Sequence, residues 1–263
     1  MVLLLVVHLL LGYRRLQDMR YYADDHMVHR LLGLKRLPDV ATVGRALAGL
    51  DATGVASLRN LIRQRVLNRL AALGLARITL DFDGSVLSTG RFAEGTAVGF
   101  NRKKKGQRSD YPLFCTVAQT GQVLDVWHRP GNVYDSNGAQ DFILACVREI
   151  KAILPRATIE ARMDSAFFSD DIVRLLDREG VEFTVSVPFE RFAALKTLIE
   201  NRKRWHRLDG QCSFFETHWK PAKWKDRYRF VFIRKQNRKQ YKGAVQLDLF
   251  VPYEYGYDFN LNP

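Results

Sequence analysis

At Arg77 the chain changes its period. In RITLDFDGSV the apolar Ile78, Leu80 and Phe82 alternate with Thr79, Asp81 and Asp83, the two-residue repeat of a strand with one buried face. Upstream, apolar residues recur at helical spacing through Leu3 to Leu34, Val43 to Leu50 and Leu58 to Leu73, so residues 1–76 are expected to be helical. Two further strands are predicted at Tyr111 to Gln119 and Gln122 to His128, joined by a tight Thr120-Gly121 turn. A helix follows over Phe142 to Ile153, a strand over Thr158 to Met163, a helix over Asp170 to Arg178 and a strand over Val181 to Val187. The order β-β-β-α-β-α-β is that of an α/β core with a mixed sheet. After Pro188 the sequence reads as a helix, Phe189 to Arg202, and then as aromatic-rich runs, CSFFETHW, YRFVFIRK and AVQLDLFV, of an antiparallel β appendage. The expected divisions are therefore 1–76, 77–200 and 201–263.

With 263 residues, 47% of them hydrophobic, the chain is long enough to bury a substantial core. The opening run Met1 to Gly12 is apolar but has no leading cationic region and falls short of the roughly 20 residues a membrane span needs. It is expected to open a buried helix, and its uncapped start reads as a cut. Cys115, Cys146 and Cys212 lie far apart, without metal-ligand spacing, which predicts reduced, mostly buried thiols in a reducing cytoplasm.

The net charge of +13 favours a polyanionic partner, nucleic acid or an acidic membrane surface. Its distribution chooses between them. Residues 1–76 hold 11 basic and 5 acidic side chains, residues 77–200 hold 16 and 17, and residues 201–263 hold 14 and 6. Basic flanks around a carboxylate-rich centre suit an acidic site whose surroundings grip phosphates. A membrane-surface protein would concentrate its charge on one amphipathic helix.

The carboxylates carry the chemistry. Asp81 and Asp83, two apart on one strand, point to the same face. Asp164 closes the strand IEARMD, where open α/β sheets expose functional side chains. Strand-end aspartates also cap turns and helices, and for Asp164 alone that reading is as good. Carboxylates from two strand ends suit a cation, because magnesium is held by one or two carboxylates plus substrate phosphates.

The stretches TLDFDGSVLSTG, YPLFCTVAQTGQVLDVWHRPGNVYDSNGA and ARMDSAFFSDDIVRLLDREGVEFTVSVP resemble the DDE core of bacterial insertion-sequence transposases. The likeness is to the IS-four-like superfamily, in particular its branch with an LDxD first strand, and covers most of residues 1–200. It implies an RNase H-like mixed-sheet core, an N-terminal helical DNA-binding region and a β-rich insertion. It also implies Mg2+ as cofactor, with Mn2+ able to substitute, DNA as partner in the form of transposon ends and target, no membrane, and a homodimer on DNA beside the bacterial nucleoid. The family's first Asp precedes Gly-Thr/Ser, matched by Asp83-Gly84-Ser85, so Asp83 is the first choice and Asp81 the second. Its second Asp lies in R-x-D-S-x-F, matched by Arg162, Asp164, Ser165 and Phe167. The third residue, a Glu in a Y…R…E…K string on a later helix, has no match before Pro263, and Glu254 in YEYGYD does not fit. The chain is thus expected to end before its third ligand, and to bind DNA without completing strand transfer.

Around these carboxylates lie basic and polar elements. GFNRKKKG lacks the Gly-Lys-Ser/Thr of a P-loop; its Lys103, Lys104 and Lys105, with Arg108, read as a phosphate-contacting loop or as a solvated charge run. In HRPGNVYDSNG, His128, Arg129 and Asn132 are candidate contacts to the scissile strand, although Pro130-Gly131 and Asn137-Gly138 are ordinary turn formers. LPDVATVGRALAGL resembles half of a helix-turn-helix, with Arg36, Thr42 and Arg45 outward, or a packed amphipathic helix. Trp205, Trp219 and Trp224 suit base stacking or a core of their own. The reading is a DDE transposase; its rivals are a nuclease of the same fold and a non-catalytic DNA-binding fragment.

Overall fold

The computed structural model describes residues 1–90, 93–99, 101 and 104–235. The AVQLDLFV run, Glu254 and Lys103 lie outside the described residues. The chain divides into two compact units, Met1–Arg65 and a second that begins at Val66, ahead of the expected boundary at residue 76.

The first unit holds α1 (Val2–Leu10), a 3-10 turn (Leu16–Tyr22), α2 (His26–Leu32), α3 (Val40–Ala48) and the start of α4 (Ala52–Leu73). Aspartates start α2 and α3: Asp25 accepts from the backbone N–H groups of Met27 and Val28, and Asp39 from that of Thr42, satisfying donors that a helix leaves unpaired. Leu4, Val7, Met19, Tyr22, Val28, Leu37 and Val43 form its core. His8, the polar residue within the apolar opening run, is buried there with Nδ1 2.6 Å from the Tyr22 hydroxyl, which is how a histidine is tolerated on an apolar face. Among the described residues no helix is long and apolar enough to cross a membrane.

The second unit is built on a five-stranded sheet. Its strands are β1 (Arg77–Gly84), β5 (Leu113–Val117), β6 (Gln122–Trp127), β7 (Thr158–Met163) and β8 (Glu182–Val185), ordered β6-β5-β1-β7-β8. β5 is antiparallel to β1 and β6, whereas β7 and β8 run parallel to β1. Three antiparallel strands, β1, β5 and β6, followed by two parallel crossover strands make the RNase H-like mixed sheet. The crossovers are α5 (Ala139–Ile153) and α6 (Asp170–Arg178). α5 buries Phe142, Ile143, Cys146, Val147 and Ile150 at helical spacing, each large side chain worth about 1.5–3 kcal/mol of burial. α6 opens on Ser169, whose Oγ accepts from Ile172 N–H, with Asp170 and Asp171 in its first turn, where the helix dipole favours negative charge. Both helices pack with Ile78, Leu80, Phe82, Cys115 and Val117 in one core, joined by Val66, Leu67 and Leu70 of α4. That packing places the end of α4 with the sheet.

Between β1 and β5 the chain forms a small sheet absent from the expected order: β2 (Leu87–Ser88), β3 (Ala97–Val98) and β4 (Arg108–Asp110), with β4 in the middle. Its two- and three-residue strands are too short to leave a periodic signal. Beyond β8, the expected helix over Phe189 to Arg202 is a 3-10 turn (Phe189–Arg191) and α7 (Ala193–Glu200). The break falls at Phe192, whose ring packs edge-on against Phe168 and Trp219. β9 (His206–Arg207), β10 (Cys212–Trp219) and β11 (Tyr228–Lys235) form the antiparallel appendage. Trp205 and Trp219 sit against Phe215 and Phe230, and Trp224 stacks on Phe168 at 4.6 Å. The tryptophans build a local core.

Candidate active site

Alternation along β1 sends Ile78, Leu80 and Phe82 into the core and Thr79, Asp81 and Asp83 to the opposite face. In the parallel neighbour β7 the same face carries Glu160 and Arg162, paired in register with Thr79 and Asp81. Asp83 and Asp164 come next along the two chains, one residue past the Phe82–Met163 pair. Two carboxylates are thereby set side by side at adjacent strand ends, and both are exposed. Loss of surrounding water, the charge of Asp164 and, more weakly, that of Asp135 push the Asp83 carboxyl above the usual range, while a hydrogen bond from Gly84 N–H opposes them. Asp164 also caps: its Oδ1 accepts from Ala166 N–H at 2.9 Å.

Asp81 is differently engaged. Arg162 grips it with both arms of its guanidinium, Nε to Oδ1 at 2.6 Å and Nη2 to Oδ2 at 2.8 Å. This bidentate pair is a strong, geometrically fixed contact. Its neighbours Thr79 and Glu160 are hydrogen-bonded to each other at 3.0 Å. The polar face thus runs from hydrogen-bonded pairs to an acidic end. Asp81, Asp83, Arg162 and Asp164 line a groove of about 900 Å³ together with Tyr228, Phe230 and Phe232 of β11.

A second set of groups stands behind Asp83; sequence reasoning missed Tyr111 and Asp135 and read Arg129 as a contact to the scissile strand. Gly84 has no room for a side chain: a Cβ there would fall inside contact with Asp135 Oδ1 and 2.7 Å from Tyr111 Cζ. Asp135 is 6% exposed and accepts a 2.8 Å hydrogen bond from the Tyr111 hydroxyl. Arg129, 2% exposed, donates to the carbonyls of Tyr111, Tyr134 and Asp135 at 3.1–3.4 Å, and its Nη2 lies 3.5 Å from Asp135 Oδ1. Burial pushes the Asp135 carboxyl up and the Arg129 guanidinium down, each toward neutrality, and their mutual attraction opposes both shifts. Burial, and then the bond to Asp135, raise Tyr111. Asp135 sits in VYDSNG, where an Asp ordinarily means an exposed turn; nothing in the string marks it as buried.

Arg129 must therefore be withdrawn as a contact to DNA, because its charge is spent inside the protein on three carbonyls and a carboxylate. The other described candidates lie at the surface. His128, with its side chain 66% exposed, holds Nε2 3.3 Å from Asp110. Asn132 is exposed, and its backbone packs on Gly99 just after β3. Lys104 and Lys105 are exposed in the connection from β3 to β4, and Arg108, on β4, donates to the Thr96 hydroxyl at 2.9 Å and to the Thr96 carbonyl. The bridge between Asp110 and Pro130 ties the His128–Asn132 turn to that small sheet, so these candidates share one neighbourhood.

Among the described residues no group of three or more His, Cys, Asp and Glu side chains is arranged to hold a metal ion. Two exposed carboxylates at one point are still a fitting donor set for a hard cation that takes its remaining oxygens from water and phosphate. Asp83 and Asp164 fit that requirement, and Asp81, committed to Arg162, fits it less well.

No curated protein matches the sequence. Among solved structures, a Mos1 transposase paired-end complex with the left transposon end is 10% identical at a TM-score of 0.31, covering 71% of this chain and 70% of that one. A piggyBac transposase synaptic complex with hairpin DNA is 14% identical at 0.37, covering 69% and 40%. A Mos1 mariner paired-end complex with Mn is 11% identical at 0.32, covering 73% and 67%. A family model, Transposase DDE domain group 1, matches residues 1–245, nearly the whole sequence. The chain belongs to that family, the DDE transposases of domain group 1.

Proposed function

We propose that this transposase cleaves and joins DNA at transposon ends, with Asp83 and Asp164 holding Mg2+, or Mn2+ in its place, against the scissile phosphate. The observation that supports this reading best is the side-by-side placement of the two carboxylates past the Phe82–Met163 pair of parallel strands. A bound divalent cation would supply charge stabilisation at the phosphate and orient the attacking and leaving oxygens. The chain's own residues fix where that happens. The sheet sets the spacing of the carboxylates; burial first, and then the charge of Asp164, raise the Asp83 carboxyl, and a cation between the two would relieve both effects. Arg162 removes the charge of Asp81 from the competition. Lys104, Lys105, Arg108, His128 and Asn132 form a polar surface for the DNA backbone, positioning the strand without reading its bases. In this reading residues 1–76 form a DNA-binding region, residues 77–200 the catalytic core and residues 201–263 a β-rich insertion, and the enzyme works as a homodimer on paired ends.

The test is a strand-transfer assay on duplexes carrying the inverted repeats that flank the coding sequence, using the product of the complete reading frame. Joined products that require Mg2+ or Mn2+ are expected. Hydrolysis without joining would indicate a nuclease, and cleavage indifferent to chelator would remove the metal. DNA affinity should also fall steeply with salt, about 10³-fold or more between 50 and 200 mM if six or more phosphates are contacted. A flat salt dependence in fluorescence anisotropy would remove the phosphate surface.

A further inference from the structure

We infer that Tyr111, Asp135 and Arg129 form a positioning unit for Asp83, pinning the end of β1 so that its carboxylate is presented beside Asp164 for a divalent cation; the inference rests on the metal-site reading above. The contacts form a chain from the interior to the site. Arg129 is anchored by three carbonyls and lies over two rings, its Cζ 5.3 Å from the centre of Trp127 and 5.6 Å from that of Tyr111. It fixes the turn from β6 to α5 and with it the Asp135 carboxylate. Asp135 in turn orients the Tyr111 hydroxyl at 2.8 Å. The Asp135 carboxylate and the Tyr111 ring both press on the bare Cα of Gly84, the residue after Asp83. Tyr111 N–H donates to Arg129 O at 2.7 Å and Ser85 N–H to Pro112 O at 3.0 Å, closing the same corner from the backbone side. A glycine that could carry no Cβ without displacing both groups means that β1 ends in a seat, with little play for Asp83.

Asp135 is not itself read as a ligand. Its carboxylate is buried and already meets a hydroxyl and a guanidinium. Groups that hold a metal ligand in place typically matter about 10- to 100-fold in affinity or activity. They do so together, because breaking any link frees the same strand end.

The experiment is a Mn2+ titration of the 263-residue chain, with free Mn2+ read by electron paramagnetic resonance and folding checked by thermal melting. Tyr111→Phe, which removes one hydroxyl, is expected to weaken Mn2+ binding about 10-fold or more at near-native melting temperature, and Asp135→Asn to weaken it as much at a lowered melting temperature, because it leaves the buried Arg129 without its carboxylate; Asp83→Asn weakens it further. The Tyr111→Phe/Asp135→Asn double variant should be no weaker than the worse single one, as for residues acting as one unit. Unchanged affinity in Tyr111→Phe and Asp135→Asn, with loss in Asp83→Asn, would overturn the positioning unit and leave the metal site standing. Loss in Asp135→Asn equal to that in Asp83→Asn, with Tyr111→Phe silent, would replace positioning by direct ligation. Absence of Mn2+ binding in the unaltered chain, or binding indifferent to Asp83→Asn, would overturn both readings. If Asp135→Asn fails to fold, Tyr111→Phe alone decides.

Discussion

Asp83→Asn and Asp164→Asn are each expected to remove metal-dependent DNA cleavage while leaving DNA binding intact. The substitution keeps the shape of the side chain and takes away the charge that holds a hard cation, so the core is undisturbed. Three decades or more of rate is the expected scale, about 4 kcal/mol of transition-state stabilisation. The assay is end cleavage by the product of the complete reading frame, with anisotropy as the binding control. Asp81→Asn is the informative comparison. It leaves Arg162 without its bidentate partner, but that pair is part-exposed, so a small loss is expected. If Asp83→Asn were silent and Asp81→Asn inactive, the assignment would pass to Asp81.

Arg129→Ala is expected to cost the fold about 3–5 kcal/mol, the range for breaking a buried ion pair and leaving its partner uncompensated. The deletion strands a buried carboxylate and takes a donor from three carbonyls at once. Urea unfolding at neutral pH should show the midpoint fall, and a surface arginine would barely move it. The pH dependence has a definite sign. Burial already raises Asp135 in the native chain, and without Arg129 it rises further. The folded state then holds a proton that the unfolded state has released, so stability falls as pH rises through that interval. The variant should therefore regain stability as the pH is lowered from neutral toward the ordinary carboxylate range. A loss independent of pH would mean that packing, and not the stranded charge, accounts for the effect.

The strands and helices that carry Asp83 and Asp164 were legible because their patterns are local. The alternation from Ile78 to Asp83 and the spacing in Phe142 to Ile150 report burial directly. The pairing of β1 with β7 is non-local, and no spacing predicted that Arg162 would close on Asp81 across 81 positions. Arg129 illustrates the same limit. An arginine in a turn is ordinarily at the surface, and only the chain's return at Asp135 makes it internal. The small sheet of β2, β3 and β4 escaped because its strands are too short to show a period. Glu254 and Lys103 fall outside the described residues.

The in-register ladder between β1 and β7 also bears on how the chain finds its fold. Thr79 faces Glu160, Asp81 faces Arg162, and Asp83 and Asp164 follow. Sliding β1 by one residue would turn Asp81 and Asp83 into the face occupied by Ile78, Leu80 and Phe82 and expose those three to water. Two unpaired carboxylates among α4, α5 and α6 would cost several kcal/mol even after taking up protons. A mispaired sheet is thus penalised most by the residues the chemistry uses, and the aspartates act as proofreaders of strand alignment before any DNA is bound.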